Sequence, residues 1–165
     1  MKKIVVTGGA GFIGSHTYFA LLKHNYQIII VDSLINSTEL VIKNIEIAKC
    51  KLFPEINPKV NFFKLDLRDK KKLNELFANE EKKGEPITGV IHFAGLKSVN
   101  ESILNPLSYW NNNLISTINL LEVMDIYNCN KIVFSSSATI YGLSENNLLT
   151  ESCKLNPSNP YGESK

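Results

Sequence analysis

The run Thr7-Gly8-Gly9-Ala10-Gly11-Phe12-Ile13-Gly14 limits what this chain can fold into more than any other segment. A short β-branched run, residues 4–6, precedes it. After it, Ile13, Thr17, Ala20 and Leu21 fall on one face of a predicted helix. Gly8 permits a tight turn, Gly11 lets the backbone approach a pyrophosphate without an intervening Cβ, and Gly14 lets helix and strand pack closely. The helix N-terminus then offers unpaired N–H groups and partial positive charge. Glycines at this spacing are a weak sign alone. A strand before, a helix after and an acid closing the second strand make the sign specific. That acid is Asp32. Its carboxylate suits ribose hydroxyls and repels a 2′-phosphate, and no Arg lies nearby, so NAD is expected rather than NADP. The competing reading is a structural turn with Asp32 as a cap.

The rest of the chain alternates in the same way. Apolar runs at 28–31, 60–65, 90–93 and 132–134 are continuous rather than alternating, which suits strands buried on both faces. Between them, residues 40–48 read as a helix, and Leu73, Leu76 and Phe77 share a helical face after Asp69. Leu107, Trp110, Leu114, Ile118 and Leu121 do the same after Pro106, which suits a first helical turn. Residues 50–59 hold two prolines and read as loop. The β-α-β-α-β-α-β-α-β order predicts an α/β fold: a doubly wound parallel sheet of the Rossmann kind, cut off after the fifth strand and the start of the next helix. One domain, residues 1–165, accounts for the whole chain.

Composition excludes several classes. The net charge of +2 comes from interspersed signs, and the densest basic run, Lys70-Lys71-Lys72, follows Asp69 and precedes Glu75, so it reads as a solvated helix start and not a nucleic-acid surface. The three cysteines are widely spaced, with no His at metal-ligand distance, which suits a reduced, cytoplasmic chain with no metal site. No stretch is long enough to cross a membrane. The start resembles a secretory signal only until Thr7-Gly8-Gly9 ends its apolar run.

Tyr161-Gly162-Glu163-Ser164-Lys165 places a phenol and an ammonium on one helical face. The cation favours the phenolate, which can take a proton from a substrate hydroxyl as hydride leaves the same carbon. Ser135-Ser136-Ser137 closes the fifth strand, at the carboxyl edge where such folds bind ligands. Each feature recurs by chance alone. With the glycine turn and Asp32 they point to a redox site. His92, between apolar residues, reads as a satisfied core or edge histidine, and His16 and His24 as helix-surface residues.

These residues resemble a known family. Residues 7–15 resemble the glycine motif of extended short-chain dehydrogenases, and Tyr161 to Lys165 match their Tyr-x-x-x-Lys. Residues 32–37, 92–99 and 134–142 are similar to the UDP-glucose 4-epimerases in particular. The sugar-nucleotide 4,6-dehydratases share the fold but typically carry Thr-Asp-Glu where this chain has Ser137-Ala138-Thr139. The resemblance implies a bound NAD and a UDP-sugar substrate epimerised at C4. It implies that Phe12 and Ile13 give amides to the pyrophosphate, and that Asp32, Asn36 and Ser37 hold the adenosine half. Asp66 and Leu67 flank the adenine. Phe93, Ala94, Gly95 and Lys97 line the middle of the cofactor, with Asn112 and Ser135 nearby. Ser137 and Tyr161 face the sugar, and Lys165 binds the nicotinamide ribose and polarises Tyr161. Read without the resemblance, Lys97 is a surface lysine and Asp66 a helix cap.

The chain departs from the family at residues 114–116, which replace a polar, glycine-containing stretch, and in a longer segment over residues 44–58. It also ends where such enzymes run on into a substrate lobe; full-length relatives are expected to be homodimers. With nothing after Lys165, the Tyr161–Lys165 turn is expected to fray. The readings in competition are the N-terminal part of an epimerase, a cofactor-binding remnant without turnover, and a related sugar-nucleotide epimerase or decarboxylase.

Overall fold

The structure is a computed structural model that describes residues 2–24, 26–52, 54–55, 60–142 and 148–165. Five parallel strands make one sheet: β1 (Lys3–Thr7), β2 (Gln27–Asp32), β3 (Val60–Lys64), β4 (Ile87–His92) and β5 (Ile132–Phe134), ordered β3-β2-β1-β4-β5. This is the doubly wound parallel sheet that the apolar runs predict. β4 starts earlier than its run because pairing with β1 begins at Lys3 opposite Ile87. Helices α1 (Phe12–Leu22), α2 (Glu39–Leu52) and α3 (Lys70–Lys82) follow the first three strands. Between β4 and β5 lie α4 (Val99–Leu104), α5 (Pro106–Tyr109), a π-helical segment (Trp110–Ile115) and α6 (Ser116–Ile126). A 3₁₀ turn (Ala138–Tyr141) and α7 (Pro160–Glu163) come last.

Two cores sandwich the sheet. Val6, Ile28 and Ile30 pack with Tyr18, Leu22 and Ile42 on one face. Val5, Ile29, Val31 and Val90 pack with Leu73, Phe77, Leu120 and Val123 on the other. Each of these fully buried side chains contributes roughly 1.5–3 kcal/mol. β1 and β2 are therefore apolar at successive positions, because neither face meets water. The two edge strands depart from the expected burial on both faces: Asn61, Phe63 and Lys64 of β3 are exposed and β5 is exposed along its length, because each has a neighbour strand on one side only.

Helix faces were harder to read. In α1 the buried residues are Gly14, Ser15, Tyr18 and Leu22, whereas Ile13 is 58% exposed and Ala20 lies on the surface. In the α5–α6 stretch the inward residues are Tyr109, Asn113, Ser116, Leu120, Val123 and Met124. The expected core face faces outward: Leu107 is 81% exposed, and Leu114, Ile118 and Leu121 are also exposed. Both stretches are apolar on two sides; inward, Tyr18, Leu22, Leu120, Val123 and Met124 join the cores, while the small or polar Gly14, Ser15, Asn113 and Ser116 approach the glycine turn or hold the site. The face of α3 is as expected. The loop predicted for residues 50–59 begins later, since α2 runs to Leu52 and Pro54 stands in a turn just beyond. Residues 53 and 56–59 of that prediction lie outside the described residues.

The amino end of the sheet is closed by charge. Lys3, only 3% exposed, donates to Glu80 of α3 and to Glu85 before β4, the latter at 2.8 Å. Lys83 also reaches Glu80, at 2.6 Å. Burial alone lowers the pKa of Lys3, but the two carboxylates outweigh it and raise it. Burial likewise pushes Glu80 up, and the hydrogen bonds from Lys3 and Lys83 reverse the sign.

Candidate dinucleotide site

The chain runs from β1 outward to β3, then crosses back to β4 and β5. In sheets of this type, ligands sit at that reversal, outside the carboxyl ends of the strands. A cleft of about 740 Å³ lies there.

Its floor is the glycine turn. Gly8 has φ +65°, and its amide donates to the carbonyl of Val31 at 2.8 Å, fixing the turn to β2. A Cβ on Gly8 would lie 2.7 Å from the Ala94 nitrogen; one on Gly14 would lie 2.3 Å from the Gly8 oxygen. The turn, α1 and the loop after β4 thus meet backbone to backbone. Gly11 precedes α1 with no side-chain cap, and the first turn of α1 holds no acid, so the helix start offers its amides to the cleft. Phe12 is 77% exposed there. This backbone cradle, open on the cleft side, fits a pyrophosphate.

Asp32 ends β2 and is buried. Its Oδ2 accepts from the Ala10 amide at 3.0 Å, and its Oδ1 from the Leu34 amide at 2.8 Å and the Ser37 hydroxyl at 2.9 Å. Three donors aim the carboxylate along the cleft wall, where Asn36 and Ser37 also lie. Asp66 and Leu67 line the same end. Asp66 accepts the Arg68 amide and guanidinium, the latter pair reaching 2.6 Å, and the side-chain hydrogen bond lowers its carboxyl pKa. Asp69, not Asp66, caps α3. Arg68, the chain's only arginine, is thereby engaged and does not offset the negative charge of Asp32.

Phe93, Ala94, Gly95, Lys97 and Asn112 also line the cleft. Asn112 bonds back to the Ser108 carbonyl at 2.8 Å, while Asn113, absent from the expected set, points inward. Its Oδ1 accepts the Leu96 amide at 2.7 Å, and its Nδ2 donates to the Leu96 carbonyl at 3.0 Å and the Ser164 hydroxyl at 2.9 Å. The Asn112-Asn113 doublet was the available signal, but sequence does not say which of the two turns inward.

Tyr161, Lys165 and Ser135 close the cleft. The Lys165 ammonium donates to the Ser135 carbonyl at 2.9 Å and lies 5.0 Å from the Phe134 ring centre; burial lowers its pKa. The short α7 is pinned: Asn159 caps it through the Gly162 amide at 2.8 Å, Ser164 bonds Asn113, and the Tyr161 ring meets Tyr109 edge-on at 6.3 Å. These ties oppose the fraying expected of an isolated turn. Ser137 lies outside the cleft, capping the 3₁₀ turn; Ser136 lies in it instead. His16 is exposed on α1, as expected of a helix-surface residue, and also lines the cleft; its ring meets that of Phe12 at 4.7 Å. Among the described residues, no group of acids, histidines and cysteines is placed to hold a metal ion, and no helix is long and apolar enough to cross a membrane.

A doubly wound sheet with a bare-amide glycine turn, an acid closing β2 and a Tyr–Lys pair facing one cleft defines a dinucleotide-binding Rossmann domain of the short-chain dehydrogenase type. A family model described as GDP-mannose 4,6 dehydratase matches residues 5–165, and the chain belongs to that family. Within it, the chain resembles the N-terminal part of the UDP-glucose 4-epimerases. It is 44% identical over 165 residues to UDP-glucose 4-epimerase 2 of Oryza sativa subsp. japonica, covering all of this chain and 38% of that protein. The solved UDP-glucose 4-epimerase of Bifidobacterium longum, in complex with NAD+ and UDP, aligns with a TM-score of 0.88 at 41% identity, over 99% of this chain and 46% of that one. The UDP-Glc/GlcNAc 4-epimerase of Campylobacter jejuni gives 0.88 at 35% identity, over 100% and 46%. The chain thus spans less than half the length of these relatives.

Proposed function

We propose that this chain is the NAD-binding portion of an enzyme that inverts carbon 4 of a UDP-hexose, interconverting UDP-glucose and UDP-galactose through a transient 4-keto sugar. The observation that carries the reading is a single cleft at the strand reversal that gathers the glycine turn, Asp32, Tyr161 and Lys165. When bound, NAD supplies a reversible store for the hydride of carbon 4. The amides of Phe12 and Ile13 hold the pyrophosphate, and Asp32, Asn36 and Ser37 the adenosine ribose. Asp66 and Leu67 flank the adenine. Phe93, Ala94, Gly95, Lys97, Asn112 and Ser135 enclose the middle of the dinucleotide. Lys165 holds the nicotinamide ribose and the charge of Tyr161. Tyr161 takes the O4 proton as the hydride leaves and returns it as the hydride comes back, a transfer worth roughly 10²–10⁴-fold. Ser137 accepts from the amide and hydroxyl of Thr139, so its own proton remains available to the sugar oxygen.

The exposed face of Leu107, Leu114, Ile118 and Leu121 supports contact with a protein partner, a second copy of the chain being the simplest. The widely spaced cysteines support a reducing, cytoplasmic setting.

Two measurements test the reading. NAD and NADP are titrated against the chain; NAD should bind more tightly, and the reverse order overturns the assignment. UDP-galactose conversion is assayed in a longer protein carrying this segment and in its Tyr161→Phe variant. Turnover should fall by roughly 10²–10⁴-fold with NAD affinity retained; near-full turnover removes Tyr161 as the base.

A further inference from the structure

We propose that His92 is a positioning residue of the cleft: its neutral ring, protonated at Nε2, is the centre of a directed hydrogen-bond relay that locks the loop after β4 to the helix bordering the site. The proposal rests on the dinucleotide reading only for its effect on binding.

His92 is completely buried and ends β4, immediately before Phe93, Ala94 and Gly95. Its Nδ1 lies 2.6 Å from the Thr7 hydroxyl of β1, and its Nε2 lies 2.9 Å from the Thr117 hydroxyl of α6. The outer ends of the relay set its direction. The Ala94 amide donates to the Thr7 hydroxyl at 3.3 Å, so the Thr7 proton is free to go to Nδ1. Thr117 donates to the Asn113 carbonyl at 2.6 Å, so its oxygen receives Nε2–H. The other tautomer aims two donors at Thr7, leaves the Thr7 proton with no acceptor among the described residues, and takes the Thr117 proton away from Asn113. Hydrogen-bond satisfaction in a buried site therefore selects one arrangement.

The relay returns to the loop it starts from. Asn113 receives it at its backbone carbonyl, and its side chain grips both polar groups of Leu96 and the Ser164 hydroxyl. Ala94 and Leu96, on either side of Gly95, are thus tied to the two ends of one chain of bonds. Ser164 lies between Tyr161 and Lys165. The ring also faces Phe134 of β5 at 5.5 Å, and burial, with the charge of Lys165 second, opposes a second proton on it. A histidine that only filled space would be replaceable by a ring of similar size; a relay would not.

The test uses the chain labelled with ¹⁵N, with His92→Phe, Thr117→Val and Thr117→Ser. Long-range ¹H–¹⁵N spectra should show Nε2–H in the parent. Loss of one buried hydrogen bond should speed exchange of the Ala94 and Leu96 amides by about tenfold in His92→Phe and Thr117→Val. NAD affinity should weaken by about the same factor, and Thr117→Ser should restore both. A His92 ring carrying its proton on Nδ1 overturns the proposal. So does exchange within about twofold of the parent in Thr117→Val, which carries the test if His92→Phe does not fold. Should the parent show the tautomer and exchange pattern yet bind no NAD, the relay stands and the dinucleotide reading falls.

Discussion

Asp32, Tyr161 and Lys165 were legible because their chemistry is unusual at their positions: an acid ending an apolar strand, and a phenol and an ammonium one turn apart. That His92 is a satisfied core histidine was legible from its apolar neighbours, but its partners and those of Asn113 were not, because they are distant in sequence; Thr7 and His92 meet across 85 positions. Asp32→Ala should lower NAD affinity, since three donors lose their acceptor, while narrowing the preference for NAD over NADP; paired titrations of parent and variant measure the ratio, and an unchanged ratio counts against charge as the discriminator. His92 gives a pH prediction. Burial first, then the charge of Lys165, holds its pKa at about 4, against 6.5 ordinarily. Between those values the unfolded chain takes up a proton that the folded chain refuses. Stability should therefore fall as pH drops from about 6.5 to about 4 and then level, by a total of about 3 kcal/mol from this residue. Urea denaturation across that range tests this: in His92→Phe the component should be missing, and parallel curves for variant and parent would refute it.

At the scale of elements, strands were easier to read than helices. A strand buried on both faces must be apolar throughout, and the runs in β1 and β2 admit no other placement. Helix α1 has two apolar sides: Gly14 is buried by its close approach to the glycine turn, which favours a small residue there, while Tyr18 is buried in the core cluster with Val6 and Ile30. The same holds where Asn113 and Ser116 face inward because their polar groups are satisfied there. Gly14→Ala tests the contact. The new methyl group meets backbone atoms of Gly8 and Gly9, so turn and helix must separate. The expected cost is about 1–3 kcal/mol of stability, with NAD binding weakened at least tenfold. A variant that keeps both melting temperature and affinity would show that the turn is more pliant than its packing implies.

Across the whole molecule, one end of the sheet is closed by Lys3, Glu80 and Glu85, while the other carries the cleft. The surface that neither end explains is the outward face of the α5–α6 stretch. Apolar exposure there favours association, so sedimentation should show a concentration-dependent species larger than the monomer, and Ile118→Glu with Leu121→Glu should abolish it. A monomer at all concentrations would assign that face another role. The strand order has a further consequence, in time and not in space. β1 is made first but lies mid-sheet, and its second neighbour, β4, begins only at Ile87. Until that residue has been synthesised, the central strand keeps one edge unpaired, and closing the sheet requires a long loop to find its place. Contacts of such wide sequence separation make folding slow. The chain's single tryptophan, Trp110, lies just beyond this closure, so its fluorescence would mark the late step, after local helices have formed. Competence to bind a dinucleotide should arise with that step, because the cleft requires the first turn and the last residues together.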